Sequence, residues 1–192
     1  RDLHLSLRRQ LHMCIRDSSN LGEKLWDTIC SFGKKYNLRP GAPNLIDRIE
    51  AGLLSFGNDM TSENSPLECG FEKYCALSSD IDFIGKAKLK SEKNIGPKLK
   101  LCGIAFGGKA QSACTIPWPI YFNNLKIGEI TSGIYNPSLK VNTGIALVMT
   151  ENLDKFSTVK VKALNSKITD GVICSLPFTI SKNYELINQI RY

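Results

Sequence analysis

Charged residues at the border of the apolar face of one predicted helix are the first candidates for chemistry in this chain. In the segment NLIDRIEAG, apolar residues recur at the spacing of one helix face. At about 100° per residue, Asp47 points away from that face, while Arg48 and Glu50 flank it on opposite sides. A long side chain at such a border packs its stem on the core and presents its charge to a neighbouring cavity. A guanidinium placed there can bind a carboxylate through two parallel hydrogen bonds.

Simpler structural interpretations compete with these chemical ones. Arg48 could serve only to cap its helix or to form an ion pair with Asp47 or Glu50. Asp82 precedes a helical pattern and suits an N-cap position. Trp118 stands between two prolines, which favours a packed edge strand over a ligand-stacking position. The glycine-rich turns match no phosphate-binding motif, and we attribute them to backbone demands.

The residue types most used for metal binding and proton transfer are poorly placed. The seven cysteines are scattered, with no CxxC pair or Cys/His cluster. This pattern argues against a zinc site or a disulfide framework and favours buried, reduced thiols in a cytoplasmic protein. Both histidines, His4 and His12, lie within residues 1–19, a stretch that we interpret as a foreign or disordered leader, or else as a basic amphipathic helix. No catalytic histidine is therefore expected.

Composition and charge exclude several classes of protein. The chain has 192 residues, 42% of them hydrophobic and 22% charged, which is typical of one or two globular domains. The net charge of +7 includes seven lysines between Lys86 and Lys109, but no aromatic residues alternate with them as in a nucleic-acid-binding surface. No apolar run is long enough to span a membrane. A small anionic ligand suits the basic surface best.

The first half of the chain has helical periodicity. Residues 20–37 form an amphipathic pattern in which Asn20 and Glu23 have the spacing of a capping box, and Pro40 follows. A second helix is predicted from about Pro43, a favourable first-turn residue, to about Leu53. A turn at 57–59 and a short helix from about residue 83 to 90 follow. A linker at 94–97 places a domain boundary near residue 95.

The second half of the chain changes to short strand-like runs. Their spacing is that of an antiparallel sandwich or barrel. Asn123 and Asn124 suit a hairpin turn because both tolerate positive φ, and Val159 and Val161 alternate with lysines as in a half-buried strand. The predicted strands are 101–106, 115–122, 126–131, 141–149, 158–163 and 172–180. The predicted organisation is thus a leader at 1–19, a partial α+β region at 20–95 and a β-barrel domain at 96–192.

Four motifs, in order along the chain, resemble the folate-dependent glycine-cleavage T-protein family. They are NLIDRIEAGLLSFGNDMTSENSPLECG (44–70), DFIGKAKL (82–89), ITSGIYNPSLKVNTGIAL (130–147) and SLPF (175–178). The resemblance covers roughly residues 20 to 192. Within the family, the chain resembles above all the branch that demethylates dimethylsulfoniopropionate. One reason is Lys73, which occupies the position of the tryptophan in the GLGW motif of the glycine-cleavage enzymes.

The resemblance implies an α+β fold: a helical, α+β segment of the folate-binding T-protein fold, followed by an all-β C-terminal barrel. It implies tetrahydrofolate as cofactor, with N5 of folate accepting a one-carbon unit from a cationic donor, and neither metal nor covalent intermediate. The expected function is that of the C-terminal part of a dimethylsulfoniopropionate-demethylating methyltransferase. The alternatives are an aminomethyltransferase of the glycine cleavage system, a non-catalytic folate-binding module and an inactive fragment.

The resemblance also implies two site residues and a missing partner. Arg48 matches the arginine of the family's LRLEAG motif, which contacts folate or its carboxylates. Tyr184, in SKNYEL, matches a tyrosine that lines the same pocket; its simpler interpretation is a tyrosine packing the tail of the chain. The family's catalytic aspartate and pterin carboxylate lie in an N-terminal half without counterpart here. We therefore assign no catalytic residue, expect the chain alone to be inactive, and expect that half as partner, with a small-molecule substrate and neither nucleic acid nor membrane.

Overall fold

A computed structural model describes residues 19–41, 44–151, 153, 158–164, 166–178 and 181–190. The predictions for the leader, its two histidines and Pro43 fall almost entirely outside these ranges. By internal contacts the chain divides into two units, Arg1–Ala42 and Pro43–Tyr192. The predicted boundary near residue 95 stays a prediction. Within the described ranges, no helix combines the length and the apolar character needed to cross a membrane.

The first unit contains the predicted amphipathic helix. A 3-10 turn at Ser19–Leu21 leads into helix α1, Gly22–Gly33, and a second 3-10 turn covers Lys34–Tyr36. The predicted capping box is wrong: Leu21 occupies the N-cap position and no side chain caps the helix. The preceding 3-10 turn moves the helix start past Asn20, so its side chain no longer stands where the first free N–H groups are.

The second unit opens with short helices. Helix α2 is Leu45–Ala51, a 3-10 turn is Glu72–Tyr74, and helix α3 is Lys86–Ile95. The prediction that Asp82 caps α3 is wrong, because Gly85 occupies the N-cap position with φ of 89°. The Nζ of Lys86 donates instead to the carbonyls of Ser79 and Ile81, at 2.6 Å each, and so anchors the turn before the helix.

Within the described ranges, six antiparallel strands form a closed barrel, which confirms the predicted β-barrel fold. They pair in the order β1-β4-β3-β2-β5-β6, and β6 pairs with β1 to close the barrel. The hairpin between β2 and β3 turns at Asn123 and Asn124, both with positive φ, as predicted. The strands are β1 Leu99–Phe106, β2 Trp118–Phe122, β3 Leu125–Asn136, β4 Val141–Met149, β5 Thr158–Val161 and β6 Thr169–Cys174.

Two apolar clusters hold the second unit together. One cluster contains residues of strands β1 to β5, including Phe106 and Trp118. The rings of these two residues pack edge to face, with their centroids 5.8 Å apart. Trp118 is therefore a core residue, which confirms that it is packed. The predicted edge position and the ligand-stacking alternative are both wrong, because a closed barrel has no edge and the ring is buried. The other cluster joins the barrel to Ile49 of α2 and to Ile187 of the last helix, α4, Ser181–Asn188.

Candidate functional site

Helix α2 presents two charged side chains to strand β3. Asn44 caps the helix, since its Oδ1 accepts from the Asp47 backbone N–H at 2.9 Å. Gly52, with φ of 70°, ends it. Ile49 is fully buried against the barrel, and this fixes the rotation of the helix. Arg48 and Glu50 consequently lie on opposite borders of the buried face, as the periodicity predicts.

The guanidinium of Arg48 is held by three segments of the chain. Its Nη1 donates to Oδ2 of Asp59 at 2.6 Å and to the Leu53 carbonyl at 2.8 Å. Its Nη2 donates to the Ser132 Oγ at 2.5 Å. The predicted alternatives, ion pairs with Asp47 or Glu50, are wrong, because the Arg48 ion pair is with Asp59. This arrangement joins the end of α2, the following turn and strand β3.

Asp59 is a buried carboxylate whose two oxygens are both engaged. Oδ2 accepts from Arg48 and from the Ser55 backbone N–H, the latter at 2.8 Å. Oδ1 accepts from the hydroxyls of Thr131, at 2.7 Å, and Ser132, at 2.5 Å. Burial pushes the pKa of the Asp59 carboxyl upward, but the hydrogen bonds from Ser132, Thr131, Arg48 and Ser55 outweigh burial and lower the pKa below its ordinary value.

A β-bulge lets two consecutive residues reach the same carboxylate. Successive side chains of a regular strand point to opposite faces. The pairing of β3 with β4 shifts register between Ile130 and Ser132, which leaves Thr131 as the extra residue. Both hydroxyls therefore reach Oδ1 of Asp59. Bulges re-aim side chains in this way beside functional sites in many proteins.

The turn after α2 completes what we call the Arg48 cluster, namely Arg48, Asn58, Asp59, Thr131 and Ser132. Asn58 Nδ2 donates to the Ser132 Oγ at 2.6 Å and to the Thr131 carbonyl at 3.1 Å. The Ser132 hydroxyl thus donates to Asp59 and accepts from both Arg48 and Asn58. Gly57 opens this turn with φ of 86°, a conformation that favours glycine.

The Arg48 guanidinium retains hydrogen-bonding capacity. A guanidinium has five N–H donors, and the described residues occupy three of them. Two donors remain, on Nε and Nη2, and the side chain is 22% exposed. Leu53 and Phe56, close along the chain, are exposed apolar residues. The cluster can therefore offer two further donors, on a partly exposed side chain, to a planar acceptor such as a carboxylate.

Glu50, on the other border of α2, takes part in structural hydrogen bonds between the helix and the barrel. Its Oε1 accepts from Asn136 Nδ2 at 2.6 Å, and the Asn136 Oδ1 accepts from the Leu139 backbone N–H at 3.0 Å. The Glu50 carbonyl accepts from the Phe178 N–H at 2.8 Å. These bonds fasten the helix to the barrel on the side away from Arg48.

Tyr184 lies on α4 with 43% of its surface exposed. Its neighbour Asn183 is buried and bridges the backbone of Ser175, Pro177 and Phe178, which fixes the start of the helix. Among the described residues no hydrogen bond joins Tyr184 to the Arg48 cluster. The structure thus places one of the two predicted site residues in a polar cluster and the other on an exposed helix face.

Nucleophiles and metal ligands are not assembled within the described ranges. The six cysteines there are free thiols. Burial raises the pKa of Cys102 and Cys174 to about 12, so both stay protonated near neutral pH. No group of three or more potential metal ligands occurs among the residues that the structure covers.

The sequence did not reveal Asp59, Thr131 and Ser132 as partners of Arg48. The sequence pattern predicts only a turn at 57–59. The residues ITSG belong to one of the family motifs, without a predicted side-chain role. A usable signal did exist: an aspartate in the turn that follows the helix of Arg48, and two adjacent hydroxyl residues in a strand-like run. Such side chains need partners when they are buried.

Comparison with known proteins gives relatives of two kinds. The dimethylsulfoniopropionate demethylase of Ruegeria pomeroyi is 40% identical over 132 residues, which cover 69% of this chain and 35% of that protein. The aminomethyltransferase of Thermoanaerobacter sp. strain X514 is 33% identical over 167 residues, covering 84% of this chain and 43% of that protein. No protein-family model matches the chain.

The fold has a counterpart among solved structures. The glycine cleavage system aminomethyltransferase T from Bartonella henselae superposes with a TM-score of 0.54 and 23% identity, covering 69% of this chain and 37% of that one. The chain spans less than half the length of the curated relatives it matches. By sequence and by fold, this chain belongs to the glycine cleavage T-protein (aminomethyltransferase) family, matched over part of its relatives' length.

Proposed function

We propose that this chain forms the C-terminal part of a tetrahydrofolate-dependent methyltransferase that demethylates dimethylsulfoniopropionate, and that Arg48 and Tyr184 help to bind folate. The observation that carries the proposal is the Arg48 guanidinium, which is fixed by three hydrogen bonds and keeps two further N–H donors. The 40% identity to a dimethylsulfoniopropionate demethylase, against 33% to an aminomethyltransferase, favours this substrate.

The residues of the Arg48 cluster fit one end of folate. A folate carboxylate is planar and accepts two parallel hydrogen bonds, which matches the two remaining donors. The Arg48 side chain is partly exposed, which leaves part of it accessible to a ligand. The exposed apolar side chains of Leu53 and Phe56 offer contact area for the uncharged parts of such a molecule.

The contribution of these residues to the reaction is binding and orientation. Tetrahydrofolate, when bound, supplies the nitrogen nucleophile that accepts the methyl group from the sulfonium donor. Arg48 would hold a folate carboxylate, and Tyr184 would line the same pocket. Asp59 is unsuited to act as a base, because both of its oxygens are engaged and its pKa is lowered.

The other part of the active site belongs, in this proposal, to the remainder of the T-protein fold. The chain covers 35% and 43% of the two relatives' lengths, which supports a further part of the fold as partner. Helix α1 and its flanks also expose a set of large apolar side chains, which suits a surface that another segment covers. They are Leu21, Leu25, Trp26, Ile29, Phe32, Tyr36 and Leu38.

An aminomethyltransferase is the second candidate. Its support is the greater extent of the match, 167 residues and 84% of this chain, against 132 residues and 69% for the demethylase. Both candidates use the same folate site and differ in the donor of the one-carbon unit. A folate-binding module without catalysis, or an inactive fragment, remains the alternative from another class.

The test uses a hybrid in which the matched segment of this chain replaces its counterpart in the Ruegeria pomeroyi demethylase. We expect methyl transfer from dimethylsulfoniopropionate to tetrahydrofolate by the hybrid and none by the 192-residue chain alone. Turnover only with an aminomethyl carrier would favour the second candidate. Turnover by the chain alone would contradict the need for a partner.

The Arg48 assignment is tested in the same hybrid by calorimetry with folate. Arg48→Ala should weaken binding by roughly ten- to a hundred-fold, because a charge-assisted hydrogen bond is lost. Arg48→Lys should restore binding only in part, since lysine keeps the charge but lacks the planar fork. If both variants bind folate as tightly as the parent and melt at lower temperature, Arg48 is a structural residue and the assignment is wrong.

A further inference from the structure

We propose that Asp59 is a positioning residue that fixes the orientation of the Arg48 guanidinium, so that the two remaining N–H donors form a preset fork for one carboxylate. The identity of that carboxylate as folate rests on the proposed function. The orientation of Arg48 does not, because it is a property of the chain without ligand.

Three acceptors on different segments define the guanidinium plane. They are the Leu53 carbonyl at the end of α2, the Asp59 carboxylate in the next turn and the Ser132 hydroxyl in β3. An arginine side chain held by one contact can still rotate, and a ligand that orders its free rotamers has to overcome their entropic cost. Three contacts impose that cost during folding, so less of it remains for the binding step.

Asp59 is the central member because it is itself immobilised. Its two oxygens accept hydrogen bonds from Arg48, Ser55, Thr131 and Ser132, and Oδ1 accepts a longer one, at 3.5 Å, from Asn58 Nδ2. It also orients Ser132, which contacts the second guanidinium nitrogen. The β-bulge at Thr131 is what brings the two hydroxyls to one oxygen. Removing the Asp59 charge should therefore release two of the three contacts of Arg48 together.

The ion pair also determines what Arg48 can recognise. Asp59 cancels the charge of Arg48 at 2.6 Å, so the pair exerts little general attraction on anions. What remains is a directional pair of donors, which favours a planar carboxylate over a group that needs only a positive charge. The Arg48 cluster would therefore select its ligand by hydrogen-bond geometry and not by charge alone.

The first measurement requires no ligand. In the ¹⁵N-labelled 192-residue chain, a fixed guanidinium should give separate Nη1 and Nη2 signals, assigned to Arg48 by their loss in Arg48→Lys. Asp59→Asn removes the negative charge and leaves one acceptor oxygen, which can serve Arg48 and Ser55 or the hydroxyls of Thr131 and Ser132, but not both pairs. We expect rotation of the guanidinium to accelerate by about tenfold or more, so that the two signals merge. Separate signals with parental rotation rates in Asp59→Asn would overturn the proposal.

Two further variants make the result specific. Thr131→Val removes a single donor to Asp59 and should shift the rotation rate in the same direction by a smaller factor; it also serves if Asp59→Asn does not fold. Glu50→Gln is the matched control, because Glu50 lies on the same helix and bonds to the same strand through Asn136, without contacting Arg48. A change in Glu50→Gln as large as in Asp59→Asn would show general loosening of the helix and overturn the proposal.

The second measurement separates this proposal from the proposed function. In the hybrid enzyme, Asp59→Asn should weaken folate binding about tenfold, and Arg48→Ala should add little in that background. If the parent hybrid binds no folate while the spectra behave as expected, the proposed function fails and the positioning role stands. If the parent binds folate and Asp59→Asn changes neither spectra nor affinity, the positioning role fails and the proposed function stands.

Discussion

The barrel and the segment 19–41 place their large apolar side chains in opposite environments. In the barrel, Phe106 is 1% exposed and packs against Trp118. In the helical segment, Phe32 is 71% exposed and Trp26 is also exposed. Both regions show clear apolar periodicity in the sequence. Periodicity therefore predicts which element forms and which face is apolar, but it does not predict what covers that face.

The difference follows from how each element completes its packing. Every strand of the closed barrel pairs on both edges, and the apolar residues of five strands meet each other in one cluster. Among the residues that the structure describes, helix α1 leaves its large apolar side chains exposed, and Gly33 is its buried residue. A single helix cannot bury its own apolar stripe, since burial requires a second surface. The barrel is thus complete by itself, whereas the helix presents a surface.

The largest expected effect is the loss of a barrel side chain. Phe106→Ala should lower the free energy of unfolding by about 3–5 kcal/mol, because it removes a buried ring and leaves a cavity beside Trp118. Urea unfolding followed by circular dichroism measures the change. A loss below about 1 kcal/mol would show that the barrel interior can collapse around the gap, and that it is packed less tightly than its burial indicates.

Much of the barrel could be predicted from the sequence because its determinants are local. The predicted run 141–149 coincides with strand β4, and the turn at Asn123 and Asn124 lies where it was predicted. In both cases the signal resides in neighbouring residues: alternation or a continuous apolar run, bounded by residues that tolerate a turn. The two predicted N-caps failed because the exact start of a helix depends on the turn before it.

The Arg48 cluster could be predicted only in part because its determinants are not local. The border position of Arg48 is visible in the periodicity of one helix. Its partners Asp59 and Ser132 are 11 and 84 residues away. Their approach depends on strand register and on the bulge at Thr131, which one extra residue creates. The residue types of Asp59, Thr131 and Ser132 indicate a need for partners, but a polar contact of this kind has no periodicity that would identify Arg48 as the partner.

The Arg48 cluster gives an effect of intermediate size and a distinctive pH dependence. Asp59→Asn should lower the free energy of unfolding by about 2–3 kcal/mol at neutral pH, since charge-assisted hydrogen bonds are lost in a buried site. The pKa of Asp59 is lowered in the folded chain from an ordinary value of 3.8. Its stabilising contribution is therefore present above that value and is lost as the pH falls through the folded-state pKa.

Unfolding measured from pH 7 down to about pH 2 tests this expectation. The gap in stability between the parent and Asp59→Asn should stay constant above about pH 5 and narrow below about pH 4. Glu50→Gln supplies the control, because its contact with Asn136 involves a different carboxylate. A gap that stays constant down to the lowest pH would show that Asp59 stabilises the fold through its shape and not through its charge.

The smallest expected effect sharpens the comparison between barrel and helix. Phe32→Ala makes the same change as Phe106→Ala, but at a side chain that is 71% exposed. In the 192-residue chain the free energy of unfolding should change by no more than about 0.5 kcal/mol, as is usual for exposed positions. In the hybrid enzyme, where we propose that the rest of the fold covers the α1 face, the same change should cost about 2–3 kcal/mol, because a buried aromatic side chain is lost. The two melting curves are measured side by side. A large loss of stability in the chain alone would mean that this face is already covered there. The same small loss in both proteins would mean that the remainder of the fold does not pack against the α1 face.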